Sequence, residues 1–493
     1  MRRGLGYRIF RSAKFRYDNV QLVSAGIRPQ VAIVVCDSLG SQPWTHTLPA
    51  SSPIAVSAKA NAAVWPRGVE PTAEYVAAFD YLREADGHLF VTGRAGTGKS
   101  TLLTCLRELL AEEMVIVAPT GLAAVTVGGQ TIHSFFGFPP RLIRPDDIRR
   151  SRNGRLMRRL KFLVIDEVSM VRSDLMWAID QSLRVNRGRP REPFGGVRLA
   201  LFGDLHQLPP VVNDAEVASH LESEYGGPFF FSIPALREGA GTALIELTQV
   251  FRQKDEALLR VLNRVREGDA DEDDLAVLNA RVHPIRTLSE GEPYVILTPT
   301  NAAAGRINSA YLAAIPGAPT PYQASTTGEY NQAAQPTDQT LLLKPGAKVM
   351  LLRNDPDRRW VNGTIARISR LEAERVWVEV GGEEHEVEQA SWESRRYAYD
   401  KAAEKIVETV AGTFRQFPLR LAWALTIHKS QGLTLDQVYV DLGRGTFAHG
   451  QTYVALSRCR SLDGLALARP LKPTDILFDP AAMGYRRMFD ALA

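Results

Sequence analysis

The stretch HLFVTGRAGTGKST, residues 88–101, decides the fold of this chain. An apolar run at 88–92 leads into the glycine-rich segment 93–100, and leucines at helical spacing follow it. This order predicts a strand, a loop and a helix, the context in which the pattern G-x-x-x-x-G-K-S/T indicates a phosphate site. Backbone N–H groups of such a loop surround a phosphate chain, and the positive end of the helix dipole adds to them. The sequence therefore predicts a nucleotide-binding protein.

Two side chains of the loop have defined expected roles. Lys99 neutralises the β- and γ-phosphates, and the hydroxyl of Ser100 is a ligand of Mg²⁺. The predicted nucleotide contacts in the loop are Gly93, Ala95, Gly96, Thr97, Gly98, Lys99, Ser100 and Thr101.

Composition sets broad limits on the protein. A chain of 493 residues is too long for one ordinary core, so two or more domains are expected. The 45% hydrophobic and 23% charged content is typical of a soluble globular protein, and no apolar run approaches the length of a membrane span. Three scattered cysteines, Cys36, Cys105 and Cys459, form neither a disulfide framework nor a metal cluster. They indicate a reducing compartment, and we expect a cytoplasmic, nucleoid-associated protein.

The first 68 residues differ from the rest. Basic residues precede the first acid, Asp18, and a stretch rich in Ser, Pro and Ala follows. An Arg-rich, acid-poor segment has the composition of an organelle transit peptide. We favour a disordered extension, or a start codon placed too far upstream, over organelle targeting.

Carboxylates and an amide follow two further predicted strands. The apolar run 162–165 leads to Asp166 and Glu167, and the run 197–202 leads to Asp204 and Gln207. The carboxyl ends of parallel strands are where ligands bind. Asp166 there suits a metal ligand and Glu167 a base for the attacking water, whereas Gln207 can both donate to and accept from a γ-phosphate.

A basic stretch separates these strands from the loop region. Residues 141–161 include nine Arg and Lys residues but only two acidic residues, Asp146 and Asp147. Such a run is either a solvated face or a nucleic-acid contact, and its place between two phosphate-handling strands favours the second interpretation.

The C-terminal half repeats the strand pattern. A second unit is predicted from about residue 230, with strands at 294–297 and 421–425 and a loop or linker at 314–340. Short β-strands are predicted between about 344 and 418.

Eight segments in order resemble the motif series of superfamily 1B DNA helicases, most closely the Pif-one/RecD (Dda-like) branch. They are GRAGTGKST (93–101), APTGLAA (118–124), GGQTIHSFF (128–136), LVIDEVSM (163–170), FGDLHQLPPV (202–211), LTQVFRQ (247–253), TIHKSQG (426–432) and YVALSRC (453–459). The resemblance implies an α/β fold of two RecA-like P-loop NTPase domains, each a parallel sheet flanked by helices. It also implies a small wedge insertion and a β-rich SH3-like insertion.

The implied domain bounds follow from these motifs. They are an N-terminal extension at 1–68, a first domain at 69–228 with the wedge at about 137–160, a second domain at 229–345 and 416–493, and the SH3-like insertion at 346–415.

The resemblance implies roles for residues at an ATP site. Ser100 and Asp166 would hold Mg²⁺, Glu167 would be the catalytic base and Gln207 the γ-phosphate sensor. Arg252 and Arg458 would be arginine fingers from the second domain, so hydrolysis would need domain closure. The implied catalytic set is Lys99, Glu167, Gln207, Arg252 and Arg458, and the further nucleotide contacts are Gln431 and Gly432.

The same resemblance places single-stranded DNA across both domains, with the rings at 135 and 136 near the bases. Sequence-tolerant contacts of this kind suit a translocase. The implied contacts are Thr120, Gly121, His133, Phe135, Phe136, Thr300, Asn301, Thr426, His428 and Lys429. The expected partners are single-stranded DNA, single-strand/duplex junctions and replication or repair proteins, for a chain that acts as a monomer without a membrane.

One departure from the family pattern affects nucleotide choice. The family carries a Gln upstream of the loop that reads adenine, but no Gln lies between Gln42 and Gln130 here. We therefore expect relaxed nucleotide use.

The sequence leaves three interpretations of function. The first is an ATP- and Mg²⁺-dependent DNA helicase that moves 5′ to 3′ in repair, recombination or replication. The second is an ATPase that remodels protein–DNA complexes or clamps single strands without processive unwinding. The third is an enzyme that acts on RNA.

Overall fold

Two parallel β-sheets organise the protein. The computed structural model describes residues 65–66, 69–110, 113–151, 153–212, 214–237, 241–251, 255–283, 294–400, 405–484 and 489–491. The strands of the first sheet are β1 (His88–Gly93), β2 (Met114–Ala118), β3 (Gln130–Thr131), β4 (Phe162–Ile165), β5 (Arg198–Phe202), β6 (Thr242–Leu247) and β21 (Asp490–Ala491). Their spatial order is β21-β6-β1-β5-β4-β2-β3, and every pairing is parallel.

Alternate residues of these strands enter two different cores. In β1, Phe90 lies in one hydrophobic cluster, whereas Leu89 and Val91 lie in the other. Successive side chains of a strand point to opposite faces, so both faces of this sheet are covered. The helices of this half are α1 (Ala73–Glu84), α2 (Lys99–Leu110), α3 (Gly121–Thr126), α4 (Ile132–Phe136), α5 (Gly154–Arg159), α6 (Ser173–Arg187), α7 (Ala215–Tyr225) and α8 (Pro234–Arg237).

The second sheet is smaller. Its strands are β7 (Val295–Thr298), β18 (Ala424–Thr426), β19 (Val438–Val440) and β20 (Leu465–Leu467), in the spatial order β18-β7-β19-β20. Its helices are α9 (Glu256–Glu267), α10 (Glu272–Asn279), α11 (Asn301–Ala314) and α12 (Gln451–Leu456), whereas Ala482 of α13 (Pro480–Gly484) lies in a core of the first sheet. Two parallel sheets flanked by helices confirm the predicted fold class.

The predicted domain boundary at residue 229 does not coincide with a boundary between sheets. β6 pairs with β1 along its whole length, from His88↔Thr242 to Gly93↔Leu247, and β21 pairs with β6. The chain therefore leaves the first sheet only after Leu247 and returns to it at 490–491. The run TALIEL is apolar like any buried strand, so its sequence does not show which sheet it joins.

Antiparallel strands fill the chain between β7 and β18. They are β8 (Thr320–Gln323), β9 (Ser325–Gly328), β10 (Thr340–Leu343), β11 (Lys348–Leu351), β12 (Ile365–Leu371), β13 (Val376–Val380), β14 (Glu383–Val387), β15 (Ala390–Asp400), β16 (Lys405–Gln416) and β17 (Leu419–Leu421). They form sheets in the orders β14-β13-β12-β11-β17, β15-β16-β9 and β10-β8. These strands extend beyond the predicted bounds of 346–415, and β8 to β10 include segments that we predicted as loop.

The long hairpin β15–β16 reaches the first sheet. The side chains of Tyr397 and Ile406 are buried in a core of that sheet, and the hydroxyl of Tyr397 accepts a hydrogen bond of 3.2 Å from the Ile116 N–H. An ion pair of 2.7 Å joins Arg107 on α2 to Glu408 on β16. The β-rich insertion therefore packs against both halves.

The N-terminal extension and the wedge are described in part. Residues 1–64 and 67–68 lie outside the described residues, but Trp65 is buried, with its ring 6.1 Å from that of Tyr75. Within the predicted wedge, 137–160, Arg141 forms a bidentate pair with Asp147 and α5 packs against α6. Among the described residues, no helix is long and apolar enough to cross a membrane.

Candidate nucleotide and nucleic-acid site

The glycine-rich loop joins β1 to α2, as predicted. The ammonium of Lys99 donates to the carbonyls of Gly93 at 2.6 Å and Arg94 at 3.1 Å, and the hydroxyl of Thr97 donates to Arg94 at 2.9 Å. The loop therefore holds Lys99 with its own carbonyls. Phosphate oxygens are the acceptors that would replace these carbonyls, because a charged acceptor makes the stronger bond.

A tyrosine of α1 fixes the shape of this loop. The hydroxyl of Tyr75 donates to the Gly98 carbonyl at 2.7 Å. Gly98 has φ +87°, and a β-carbon there would lie 2.2 Å from the Tyr75 oxygen. Glycine is thus required both by the backbone conformation and by this contact. Sequence reasoning missed Tyr75, although it lies in the segment searched for an adenine-reading Gln.

The two predicted acidic residues lie directly after β4. Glu167 has φ 49° and ψ 43°, a left-handed conformation that is rare for a residue with a side chain. Desolvation and then the neighbouring Glu167 carboxylate raise the pKa of Asp166 to about 7. Desolvation also raises the pKa of Glu167, against the opposing effects of Lys99 and Arg458. Backbone strain and raised pKa values together are typical of a catalytic site.

The pair Asp204 and Gln207 lies beside these carboxylates. Gln207 Nε2 donates to Asp204 Oδ2 at 3.3 Å, and both residues are buried. Burial alone would raise the pKa of Asp204, but Arg266 and Lys99 hold it well below its usual range. Asp204 is therefore a carboxylate that orients the amide of the predicted γ-phosphate sensor.

The predicted nucleotide contacts of the second half lie in the segment after β18, and the predicted finger Arg458 lies just after α12. The Arg458 guanidinium is buried and donates to the carbonyls of Val454 at 2.9 Å and Ser430 at 3.3 Å. Among the described residues, the buried Nε2 of Gln431 has no hydrogen-bond partner, and Gly432 is exposed. An unsatisfied buried donor costs free energy, so Gln431 suits an acceptor brought by a ligand. Arg252, the other predicted finger, lies outside the described residues.

Hydrogen bonds of the loop main chain join it to later parts of the chain. The Ala95 N–H donates to the Tyr453 hydroxyl at 3.2 Å, and the Phe251 N–H donates to the Gly96 carbonyl at 2.9 Å. Gly450 has φ +68°, and a β-carbon there would lie 2.3 Å from the Gln207 carbonyl oxygen. Sequence reasoning missed Tyr453 and Gly450 as contacts because nothing local to them indicates the other sheet.

A cavity of about 270 Å³ borders the outer side of α2. Its lining residues are Pro66, Val69, Ser100, Thr101, Thr104 and Cys105. Apolar walls with a few hydroxyl groups are typical of small-molecule sites.

The donor set fits ATP and Mg²⁺. The loop, Lys99 and the unpartnered amide of Gln431 offer donors to phosphates. No cluster of three or more His, Cys, Asp or Glu that could hold a metal lies among the described residues. Mg²⁺ takes one or two protein ligands and completes its shell with phosphates and water. Ser100 and Asp166 are the residues that would hold it.

Two of the predicted DNA-contact pairs occupy equivalent places in the two sheets. Thr120 follows β2 and caps α3, and Thr300 follows β7 and caps α11. Each hydroxyl accepts an N–H at 3.2 Å, from Ala123 and Ala303 respectively. Both pairs thus lie at helix N-termini, where anions bind. Asn301 is exposed, whereas Gly121 packs against the segment Gln332–Ala334.

The rings of Phe135 and Phe136, whose region we expect to approach the bases, are buried in this structure. Phe135 is 1% exposed and Phe136 is 6% exposed, in the core of the first half. Phe136 stacks on Phe138 with ring centroids 5.2 Å apart. The pair FF followed by FPP is apolar enough to be core, and sequence alone does not separate a buried aromatic from a stacking platform. His133, beside them, is half-buried, and burial lowers its pKa.

The remaining predicted DNA contacts differ in exposure. Thr426 is 3% exposed and its hydroxyl accepts from the Lys429 N–H at 3.2 Å, so it caps the following turn. His428 is half-buried and Lys429 is exposed. The surface of this segment therefore presents a ring and a cation rather than a hydroxyl.

The chain is similar in sequence to known helicases. The model of the PIF1-like helicase family matches residues 74–273. The ATP-dependent DNA helicase Pif1 of Bdellovibrio bacteriovorus is 36% identical over 436 residues, which cover 86% of this chain and 93% of that protein. The chain spans between 57% and 60% of the mouse, human and Emericella nidulans relatives.

Solved structures give the same result. Bacteroides Pif1 in complex with ADP-AlF4 is 34% identical, with a TM-score of 0.78 over 85% of this chain and 97% of that one. Bacteroides Pif1 bound to single-stranded DNA is 35% identical, with a TM-score of 0.61 over the same shares of the two chains. This chain belongs to the PIF1-like helicase family.

Proposed function

We propose that this chain, an ATP-dependent DNA helicase by family, moves 5′ to 3′ along single-stranded DNA and uses Mg²⁺. The observation that carries the proposal is the hydrogen bond of 3.2 Å from the Ala95 N–H of the glycine-rich loop to the Tyr453 hydroxyl of α12, which joins the two halves. Burial raises the pKa of Glu167, and the charges of Lys99, Arg458 and Asp204 also act on it. These groups come from both halves, so the site is complete only where the two sheets meet. A remodelling ATPase that clamps single strands shares these groups and is an outcome of the test below.

Each residue of the site has a role in the proposed hydrolysis. Glu167 accepts the proton of the attacking water, and its raised pKa brings it nearer to neutral pH. Gln207, held by Asp204, contacts the γ-phosphate, and Arg458 stabilises charge on the transferring group after it leaves its carbonyl partners. Bound Mg²⁺ would supply positive charge to the phosphates.

DNA binding would use the carboxyl ends of both sheets. Thr120 and Thr300 lie at helix N-termini. His428 and Lys429 offer a ring and a cation, and they precede the predicted nucleotide contacts at 431 and 432 in the sequence. Contacts to phosphates carry no sequence information, which suits a translocase. We place its work in the cytoplasm, as a monomer at single-strand/duplex junctions during repair, recombination or replication.

Nucleotide selectivity is expected to be weak. The cavity beside α2 has the hydroxyls of Thr101 and Thr104 but no Gln, and a hydroxyl donates and accepts equally well. We expect the kcat/KM for GTP to lie within about a hundredfold of that for ATP, a difference of about 2.7 kcal/mol. Parallel steady-state assays with ATP and GTP measure this, and a larger preference for ATP would contradict it.

The direction of travel is tested with tailed duplexes. A fluorescent duplex carrying a 5′ or a 3′ single-stranded tail is mixed with the full chain, ATP and Mg²⁺. Opening of the 5′-tailed duplex alone is expected, and opening of the 3′-tailed duplex alone would overturn the polarity. If neither opens while DNA stimulates ATP hydrolysis, the chain is a remodelling ATPase. The same assay with RNA strands tests for an RNA substrate.

A further inference from the structure

An arginine between the two sheets belongs to none of the motifs discussed so far. Arg266 lies in the last turn of α9, and its side chain is 1% exposed. Helix α9 belongs to the second half, because Leu258 and Leu262 share the hydrophobic core of the second sheet. A full charge is buried at such a place only with partners that compensate for its lost hydration.

Two partners of this guanidinium come from the first sheet. Arg266 Nη2 donates to Asp204 Oδ1 at 3.1 Å, and Nη1 lies 3.7 Å from Glu246 Oε1. Asp204 follows β5 and Glu246 lies on β6, and these strands flank the loop-bearing strand β1 on its two sides. One side chain of the second half therefore bridges both neighbours of the nucleotide-binding strand.

Asp204 transmits this contact to the predicted sensor. Its Oδ2 accepts from Gln207 Nε2 at 3.3 Å, and its Oδ1 also accepts from the His206 backbone N–H at 3.1 Å. The Arg266 carbonyl lies 3.0 Å from His206 Nδ1. The side chain and the main chain of Arg266 thus both hold the segment 204–207.

We propose that Arg266 is a positioning residue that orients Gln207 through Asp204 and so couples γ-phosphate sensing to the position of the second sheet. The inference rests on the proposed role of Gln207 at the γ-phosphate. Movement of α9 away from the first sheet removes a partner of Asp204 and frees the amide that Asp204 holds. Because such coupling is reciprocal, contact of Gln207 with a γ-phosphate favours the joined arrangement of the two halves.

A buried ion pair can also have a purely structural role. The test therefore compares the effect of Arg266→Lys in the native chain with its effect in a Gln207→Ala variant. Lys in place of Arg266 keeps the charge but cannot reach Asp204 and Glu246 together, because it is a single point charge. We expect Arg266→Lys to lower the kcat of DNA-stimulated ATP hydrolysis about tenfold, within the range of coupling between side chains in contact. Binding of a fluorescent ADP analogue should not change, because ADP has no γ-phosphate.

The decisive variant is the double mutant. In a Gln207→Ala background, Arg266→Lys should lower kcat less than about twofold further, since the side chain it orients is already absent. A further tenfold loss of kcat from Arg266→Lys in that background would overturn the inference. So would an Arg266→Lys single variant with an unchanged kcat and a lowered melting temperature. If Gln207→Ala itself leaves kcat unchanged, the sensor assignment fails first and the inference with it.

Two further variants keep the experiment interpretable. Arg260→Lys is the matched control, because Arg260 is exposed on the same helix, and it should leave kcat and melting temperature unchanged. If Arg266→Lys does not fold, the pair Asp204→Asn with Arg266→Gln removes both charges together and avoids an uncompensated buried charge. Its kcat should equal that of Asp204→Asn alone, and an additional loss would overturn the inference.

Discussion

The two parallel sheets carry the same local structure at their carboxyl ends and differ in the side chains around it. In each, a threonine two residues after the end of a strand caps the next helix, Thr120 in the first and Thr300 in the second. Only the first sheet adds a glycine-rich loop with Lys99 and the carboxylates of Asp166 and Glu167. The repeated fold therefore provides anion-binding helix ends twice, whereas the phosphate loop and the two carboxylates come from the first sheet.

Removing the proposed catalytic base, Glu167, should have the largest effect on ATP turnover. Glu167→Gln should lower ATP turnover about 10³-fold, within the range for a general base, because an amide cannot take the proton from water. Binding of a fluorescent ADP analogue should persist. Steady-state hydrolysis with saturating single-stranded DNA measures the change, with Glu216→Gln on exposed α7 as the matched control. Turnover within tenfold of the native chain would remove Glu167 from this role.

The cation of the second sheet should have the next largest effect. Arg458→Lys should lower kcat about 10²-fold, as for the loss of one preorganised donor, because an ammonium lacks the guanidinium fork. Its control is Arg460→Lys, two residues on and exposed, where Arg460 pairs with Asp436 at 2.9 Å. Equal kcat for Arg458→Lys and the native chain would mean that the second sheet contributes no cation to hydrolysis.

The hairpin β15–β16 packs against the first sheet, where the Tyr397 hydroxyl accepts from the Ile116 N–H. Among the described contacts, no hydrogen bond of this kind joins the hairpin to β7 of the second sheet, and this difference can be tested. Tyr397→Phe removes the acceptor of the Ile116 N–H and should destabilise the chain by about 1–2 kcal/mol, the cost of an unsatisfied buried donor. Burial raises the pKa of Tyr397 to about 12, so the hydroxyl is protonated and the loss should be the same throughout the neutral pH range. Urea unfolding at several pH values measures it.

The smallest expected effects concern the two caps themselves. Thr120→Ala and Thr300→Ala should each destabilise the chain by about 1 kcal/mol, because each removes one N-cap hydrogen bond of 3.2 Å. Serine at either position keeps the oxygen and should restore stability. Urea midpoints compare the four variants. A much larger loss at Thr120 would show that the packing of the neighbouring Gly121 against Ala334 depends on the cap.

The sequence determined the nucleotide site better than the rest of the molecule. The loop 93–100, Asp166 and Glu167 are local patterns whose strand and helix context fixes their geometry, and they lie where predicted. Strand membership is not local: β6 is as apolar as a strand of either sheet, so its pairing with β1 could not be foreseen.

Burial of aromatic and charged residues was also beyond local reasoning. Phe135 and Phe136 have the composition of a stacking platform and the position of core residues. Arg266 looks like one more cation of a charged helix until Asp204 and Glu246 are found against it. Both cases have one physical cause, because long-range contacts decide which face of an element is solvated.

Every substitution of Gly450 changes the contact between the two halves in the same direction. Because a β-carbon at this position would lie 2.3 Å from the Gln207 carbonyl oxygen, no amino acid is small enough to replace it without displacement. Every missense change at this codon therefore adds volume at the same place and separates the same two backbone segments. A substitution of Gly450 can therefore only increase the distance between the backbone at residue 450, which precedes α12, and the backbone of Gln207; it cannot shorten this distance.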